Sequence, residues 1–133
     1  MPTRICFHFL TFAIGSKPVP FSLGGFTFSK LAGGTDPIVK VDAGETGLQF
    51  PNNGLRIKLP VPSTQVVLRL GQFSHPFSIY LKATNGTTVV PPVVFNKPNG
   101  YATKAFKLKR KVAVIELRGG NNEGVVVRVC SII

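Results

Sequence analysis

Apolar residues in this chain recur mostly at every second position, in short runs broken by glycine, proline and asparagine. Such alternation marks β-strands with one buried face, because successive side chains on a strand point to opposite sides. Leu55, Ile57 and Leu59 share one face, and Arg56 and Lys58 the other. Val66, Leu68 and Leu70 repeat the pattern against Val67 and Arg69; Phe77, Ile79 and Leu81 repeat it against Ser78, Tyr80 and Lys82. The longest stretch without Gly or Pro, Tyr101–Arg118, is no helix either. Phe106 and Leu108 alternate with Lys107 and Lys109, Arg110-Lys111 reads as a turn or strand edge, and Val112–Leu117 is a further, largely apolar strand.

The remaining strands are predicted at Arg4–Phe12, Gly25–Leu31, Ile38–Val41, Leu48–Phe50, Thr87–Val90 and Val125–Cys130. Asn85-Gly86 predicts a hairpin into Thr87–Val90, and Pro91-Pro92 ends that strand or confines it to a sheet edge. Pro51-Asn52-Asn53-Gly54, Asn99-Gly100 and Gly119-Gly120-Asn121-Asn122 supply further turns. About nine or ten short antiparallel strands with no competing helix predict an all-β chain, a jelly-roll β-sandwich. With 133 residues, no composition shift and no internal repeat, residues 1–133 read as one domain.

Composition adjusts this picture at a few points. Hydrophobic residues make up 44%, enough for a core without metal or disulfide staples, and 11 Phe with no Trp make phenylalanine its aromatic material. Sixteen Lys and Arg against five Asp and Glu give a formal charge of +11, which favours polyanionic partners or simply a soluble basic surface. The densest run, Lys104, Lys107, Lys109, Arg110 and Lys111, fits a non-specific polyanion stripe or a guard against edge-to-edge strand pairing. A sequence-specific nucleic-acid module has no signature here. Arg4 followed by Ile5–Ile14 loosely imitates an export signal, but His8 between Phe7 and Phe9 favours a first strand. No run has the length of a membrane-spanning helix.

Catalysis needs a nucleophile with a base, or two carboxylates in contrasting environments, and neither can be assembled, so an enzyme is the least favoured class. No cofactor is implied. Asp36, Asp42 and Glu45 lie in a loop-rich stretch that could offer oxygen ligands to a hard cation, yet they lack calcium-loop spacing and read better as turn residues; no metal site is expected. Tyr80 and Tyr101 are candidates for stacking on sugar rings. Asn121, Asn122 and Glu123, in the most distinctive loop of the chain, pair well with hydroxyls and are candidates for a sugar-binding loop, but read better as a satisfied loop anchor. Asn85-Gly86-Thr87 matches a glycosylation sequon and, more simply, a hairpin turn. Cys6 and Cys130, near opposite ends, fit an internal disulfide, a subunit crosslink or buried thiols.

The order of segments also resembles a known kind of module. Cys6-Phe7-His8-Phe9, the Gly15–Pro20 loop, Phe26-Thr27-Phe28, Gly47-Leu48-Gln49-Phe50-Pro51, Leu55-Arg56-Ile57-Lys58-Leu59-Pro60, Val66-Val67-Leu68-Arg69-Leu70 and Gly119–Cys130 together resemble small bacterial jelly-roll modules of the galactose-binding-like and carbohydrate-binding kind. The resemblance spans nearly the whole chain but transfers no binding site residue by residue. It implies a β-sandwich and, as a function class, glycan binding; the absent Trp and the basic surface depart from typical sugar binders.

Taken together, the sequence favours a non-enzymatic structural module working through its surfaces, a self-assembling homo-oligomeric subunit of an extracellular or cell-surface structure. A carbohydrate-binding module is the alternative, and a non-specific polyanion binder the third reading.

Overall fold

The computed structural model describes residues 3–133. Eleven strands run in order: β1 (Arg4–His8), β2 (Gly15–Ser16), β3 (Phe21–Leu23), β4 (Phe26–Lys30), β5 (Ile38–Asp42), β6 (Glu45–Phe50), β7 (Leu55–Gln72), β8 (Phe77–Lys82), β9 (Val93–Phe95), β10 (Gly100–Gly119) and β11 (Gly124–Ile132). Helical structure among the described residues is limited to one 3-10 turn, Gly120–Asn122. The chain is an all-β sandwich, as the alternation predicts.

Its two layers are tied together by β7 and β10, which run through both. The first half of β7 pairs with β4 and with the second half of β10, and β8 and β9 extend this layer, with β3 beyond β4 (sheet 1). The second half of β7 lies between β11 and the first half of β10, and the layer continues through β6, β5 and β2, with β1 alongside the end of β11 (sheet 2). Where β7 crosses between layers it carries Pro60 and Pro62, which have no N–H to donate, and its register with β10 jumps there. The sequence therefore reads as separate strands at Leu55–Leu59 and Gln65–Leu70, and at Phe106–Leu108 and Val112–Leu117, where the molecule has two long bent ones.

Alternating residues from both layers fill the interior. Leu55, Ile57, Val66, Leu68, Leu70, Ile79, Ile115 and Leu117 are fully buried. Phenylalanine closes the two ends. Phe7, Phe9, Phe26 and Phe28 meet at ring separations of 4.9–5.7 Å, while Phe77 packs at 5.2 Å from Phe50 and 5.0 Å from Phe95. Edge-to-face and offset pairs of this kind add stability beyond the area they bury.

Two strand expectations are corrected. The first strand stops at His8, because the chain turns at Phe9–Phe12 (Phe12 N–H to Phe9 C=O, 3.0 Å) to bring Phe9 into the core. Thr87–Val90 forms only a single bridge, Lys82 to Thr88, and the strand beside β8 is instead Val93–Phe95, past the two prolines. The Arg110 guanidinium donates to the carbonyls of Thr88 and Val89, at 3.0 and 3.1 Å. The Asn85-Gly86 turn itself is present, with Gly86 at φ 87° and its N–H bonded to Ala83 C=O at 2.9 Å.

Candidate functional site

On β7, the inward run Val66, Leu68, Leu70 continues to Gln72, which leaves Val67, Arg69 and Gly71 facing out, with Phe73 next in phase just beyond the strand. Ten of the eleven phenylalanines join the core or pack against it; Phe73 does not. Directly across from Gly71 stands Tyr101 of β10. A Cβ built on Gly71 would lie 2.5–3.0 Å from three atoms of the Tyr101 ring, so the ring rests on bare backbone. Phe73 meets that ring edge-on at 6.1 Å with an interplanar angle of 85°. The outcome is an aromatic platform on the outer face of sheet 2, both rings half-buried.

Polar groups surround it. Arg69 crosses to Glu45 of β6 with two bonds, Nε at 2.8 Å and Nη2 at 2.7 Å, and donates through Nη1 to Thr103 at 3.2 Å. The geometry is a bidentate fork that fixes both side chains. The Arg69 guanidinium carbon lies 6.0 Å from the Tyr101 ring centre, and the Lys40 ammonium 5.0 Å from that of Phe73. Asp42 pairs across the β5–β6 ladder with Glu45. Burial, followed by the Asp42 and Glu45 carboxylates, pushes the Tyr101 hydroxyl above the usual phenol range, so it stays a protonated donor through neutral pH. Farther along β11, a bulge after Val126 brings Arg128 opposite Arg69, and its Nε is buried without a hydrogen-bond partner.

A half-exposed ring on a flat sheet face, ringed by fixed carboxylate, guanidinium, ammonium and hydroxyl groups, has the chemistry to hold a sugar. The ring covers the C–H face, and the polar rim exchanges hydrogen bonds with hydroxyls.

The residues singled out from the sequence are not gathered in one place. Tyr101 stands at the centre of this platform, whereas Tyr80 projects from β8 on the outer face of sheet 1, with the Arg118 guanidinium 5.2 Å from its ring centre. Asn121 and Asn122 sit in the 3-10 turn, both at positive φ, where asparagine is better tolerated than most residues. Their polar groups are engaged with neighbouring turns. Asn52 N–H donates to Asn122 Oδ1 (2.7 Å), Asn121 N–H to Asn52 Oδ1 (3.0 Å), and Gln49 Nε2 to the Asn122 carbonyl (2.6 Å). Glu123 accepts from the Ser74 hydroxyl. This loop thus anchors the end of the sandwich. Lys104, Lys107, Lys109, Arg110 and Lys111 are exposed on β10, with Arg110 engaged by the loop carbonyls described above.

Cys6 and Cys130 face each other across the β1–β11 ladder and are joined by a disulfide (S–S 2.06 Å) within the chain. Neither sulfur is free to crosslink subunits. Asn85 Oδ1 accepts from the Thr87 N–H and hydroxyl, at 3.1 and 2.7 Å, the closed turn that Asn-Gly favours. Asp36 contacts Lys30 at 3.4 Å while Glu45 is committed to Arg69, so Asp36, Asp42 and Glu45 do not converge. Among the described residues no group of three His, Cys, Asp or Glu side chains could hold a metal ion, and no helix is long and apolar enough to cross a membrane.

Sequence reasoning missed Gly71 and Phe73. The signal was available: extending the period of Val66, Leu68 and Leu70 by one more step makes Phe73 an outward aromatic. The rim of Glu45 and Lys40 carried no such signal, because it depends on which strands become neighbours.

No family model matches the chain, and no curated protein sequence matches it. Solved structures do share its fold. A family 29 carbohydrate-binding module, a variant complexed with cellulohexaose, superposes with a TM-score of 0.56 at 8% identity, over 98% of this chain and 91% of its own. A family 29 module from Piromyces equi gives 0.56 at 11% identity, over 98% and 91%. A low-affinity xylan-binding module from Roseburia intestinalis gives 0.52 at 14% identity, over 97% and 94%. At these identities the likeness is one of architecture: the chain has the β-sandwich fold of carbohydrate-binding modules.

Proposed function

We propose that this protein is a non-catalytic carbohydrate-binding module, the whole chain acting as one unit, with its glycan-binding surface on the outer face of sheet 2. The observation that carries this reading is the Tyr101 ring lying on Gly71, with Phe73 at its edge and the Arg69–Glu45 fork and Lys40 beside it. The fold it shares with a module complexed with cellulohexaose and with a low-affinity xylan-binding module supports the same function class. Self-assembly, which ranks first on sequence grounds, draws no support from those likenesses, and its crosslinking cysteines are joined internally. The disulfide favours an oxidising, extracellular setting.

The test is affinity electrophoresis and calorimetry on soluble xylan, hydroxyethyl cellulose and cellohexaose. At least one should bind. Tyr101→Ala should weaken that binding tenfold or more, whereas Tyr80→Ala should leave it unchanged. Equal losses in both variants, or no binding to any neutral polysaccharide, would refute the assignment.

A further inference from the structure

The outer face of sheet 1 holds a feature unrelated to the aromatic platform. Glu116 lies in β10 between inward-facing Ile115 and Leu117, so its side chain points outward, yet it is only 1% exposed. Three cations cover it. Arg56 of β7 contacts Oε2 through Nε (3.0 Å) and Nη2 (2.9 Å), while Arg118 Nη2 and the Lys82 ammonium of β8 reach Oε1 at 2.6 and 3.1 Å. Burial alone would push this carboxyl up, but the bonds from Arg118, Lys82 and Arg56 prevail and hold it at about 2.

Three positive charges against one negative leave the cluster strongly basic, and Lys58 adds to it, since it is exposed on the same face across from Val114. Arg56 and Arg118 remain nearly half exposed, and each guanidinium keeps N–H groups that Glu116 does not take. Beside them opens a cleft of about 240 Å³ lined by Arg56, Lys82, Glu116, Val114, Thr84 and Gly86. Free long side chains would lose rotamer freedom on gripping a ligand. Glu116 has already fixed these three, so that cost is lowered in advance.

We infer that this cluster is a second ligand site, taking an anionic group, carboxylate or sulfate, of an acidic saccharide. The inference does not rest on the platform of sheet 2. A saccharide fits the cluster better than nucleic acid does. The cations converge on one point beside a small cleft, whereas a nucleic acid calls for a charged groove that follows its backbone.

Calorimetry with the full chain tests it, using hexagalacturonate, its neutral methyl ester and a carrageenan-derived hexasaccharide whose only charges are sulfates, so that the first and last separate carboxylate from sulfate recognition. At least one acidic oligosaccharide should bind, and the ester should bind at least tenfold more weakly than hexagalacturonate if carboxylate is the group recognised. Lys82→Gln leaves both arginines on Glu116, and Val114→Glu places a negative charge in the cleft wall without removing a hydrogen bond. Each should weaken binding at least fivefold in a variant that still unfolds in one cooperative transition, while Lys104→Gln, which removes one charge from the edge of β10, should not. Equal loss in Lys104→Gln would overturn the inference in favour of bulk charge. It would equally be overturned if neither acidic oligosaccharide bound, or if a DNA duplex displaced the oligosaccharide with equal dependence on Lys82.

Discussion

The two outer faces of the sandwich are built largely from the same two strands, yet they treat outward positions in opposite ways. On sheet 2, β7 offers a bare glycine and β10 lays Tyr101 over it, so the face is apolar at its centre and polar at its rim. On sheet 1, the same strands offer Arg56 and Glu116, and the face is charged at its centre, with Val114 and Tyr80 to the sides. Period-two alternation is identical in both halves. What differs is the chemistry of the cross-strand pair, and pairs are the unit in which a sheet face acquires its properties. One chain can therefore carry a stacking surface and an ionic one back to back, with the core separating them.

The largest expected effect tests whether the faces are also mechanically separate. The Cys6–Cys130 bond spans 124 residues and pins β1 to β11 within sheet 2 alone. A loop of that length corresponds to ~5 kcal/mol of chain-entropy stabilisation. Urea unfolding of a Cys6→Ala/Cys130→Ala variant should show a loss of about 3–5 kcal/mol. Hydrogen exchange should show amides of β8 and β4, which open only on global unfolding, losing protection by that global amount, with a further local loss in β1 and β11. A local loss in β8 and β4 beyond the global amount would mean that the faces do not act as independent surfaces.

Next in size is the charged face. The Glu116 carboxyl is held at about 2, below its ordinary 4.5, so its stabilising contribution is complete above the ordinary value and is lost as pH falls toward 2. A shift of this size is worth on the order of 3 kcal/mol. Glu116→Gln should therefore cost about that much at pH 7, and its stability should converge with that of the parent near pH 2. Denaturation midpoints measured from pH 7 down to pH 2 give the answer; a constant gap across that range would show that Glu116 acts through packing rather than charge.

How much of this was legible in the sequence follows from the same contrast. The outward placement of Arg56, Arg69, Tyr80 and Lys82 comes from period two alone, and the structure places each accordingly. Tyr101 was legible as a candidate and Phe73 could have been. The convergence of Arg56, Lys82 and Arg118 on Glu116 was not legible, because it requires β10 to lie between β7 and β8, a non-local pairing with no local signature. The strand at Val93–Phe95 was hidden for a similar reason. Three residues after a double proline pair with β8 because Phe95 completes a core cluster with Phe77, a tertiary cause that overrides a weak local pattern.

A smaller effect sharpens the view of the apolar face. Gly71→Ala places a methyl group where the Tyr101 ring lies, within 2.5–3.0 Å of three of its atoms, and the ring must lift. Glycan binding by the platform should fall about tenfold, or ~1.4 kcal/mol. Binding at the Glu116 cluster should be untouched, since Arg56 and Lys82 lie on the other layer. Calorimetry of the two ligand classes on one variant separates the faces; a joint loss would mean one continuous site.

The smallest expected effect concerns the ion pair on the platform itself. Arg69 and Glu45 are bonded at 2.7 and 2.8 Å, within the 2.6–3.1 Å range of the pairs around Glu116, but Glu45 retains 24% exposure where Glu116 retains 1%. Solvent screening makes an exposed pair worth ~0–1 kcal/mol. Glu45→Gln should thus shift unfolding free energy by less than about 1 kcal/mol at pH 7, against the larger loss for Glu116→Gln. Its consequence should appear in binding instead: without the carboxylate the Arg69 fork loses its anchor, and the platform should bind glycan several-fold more weakly through faster dissociation. Surface plasmon resonance beside chemical denaturation distinguishes the two outcomes. A stability loss equal to that of Glu116→Gln would show that burial does not separate the ion pairs of the two faces, and that the platform is held together by its charges rather than by the ring on Gly71.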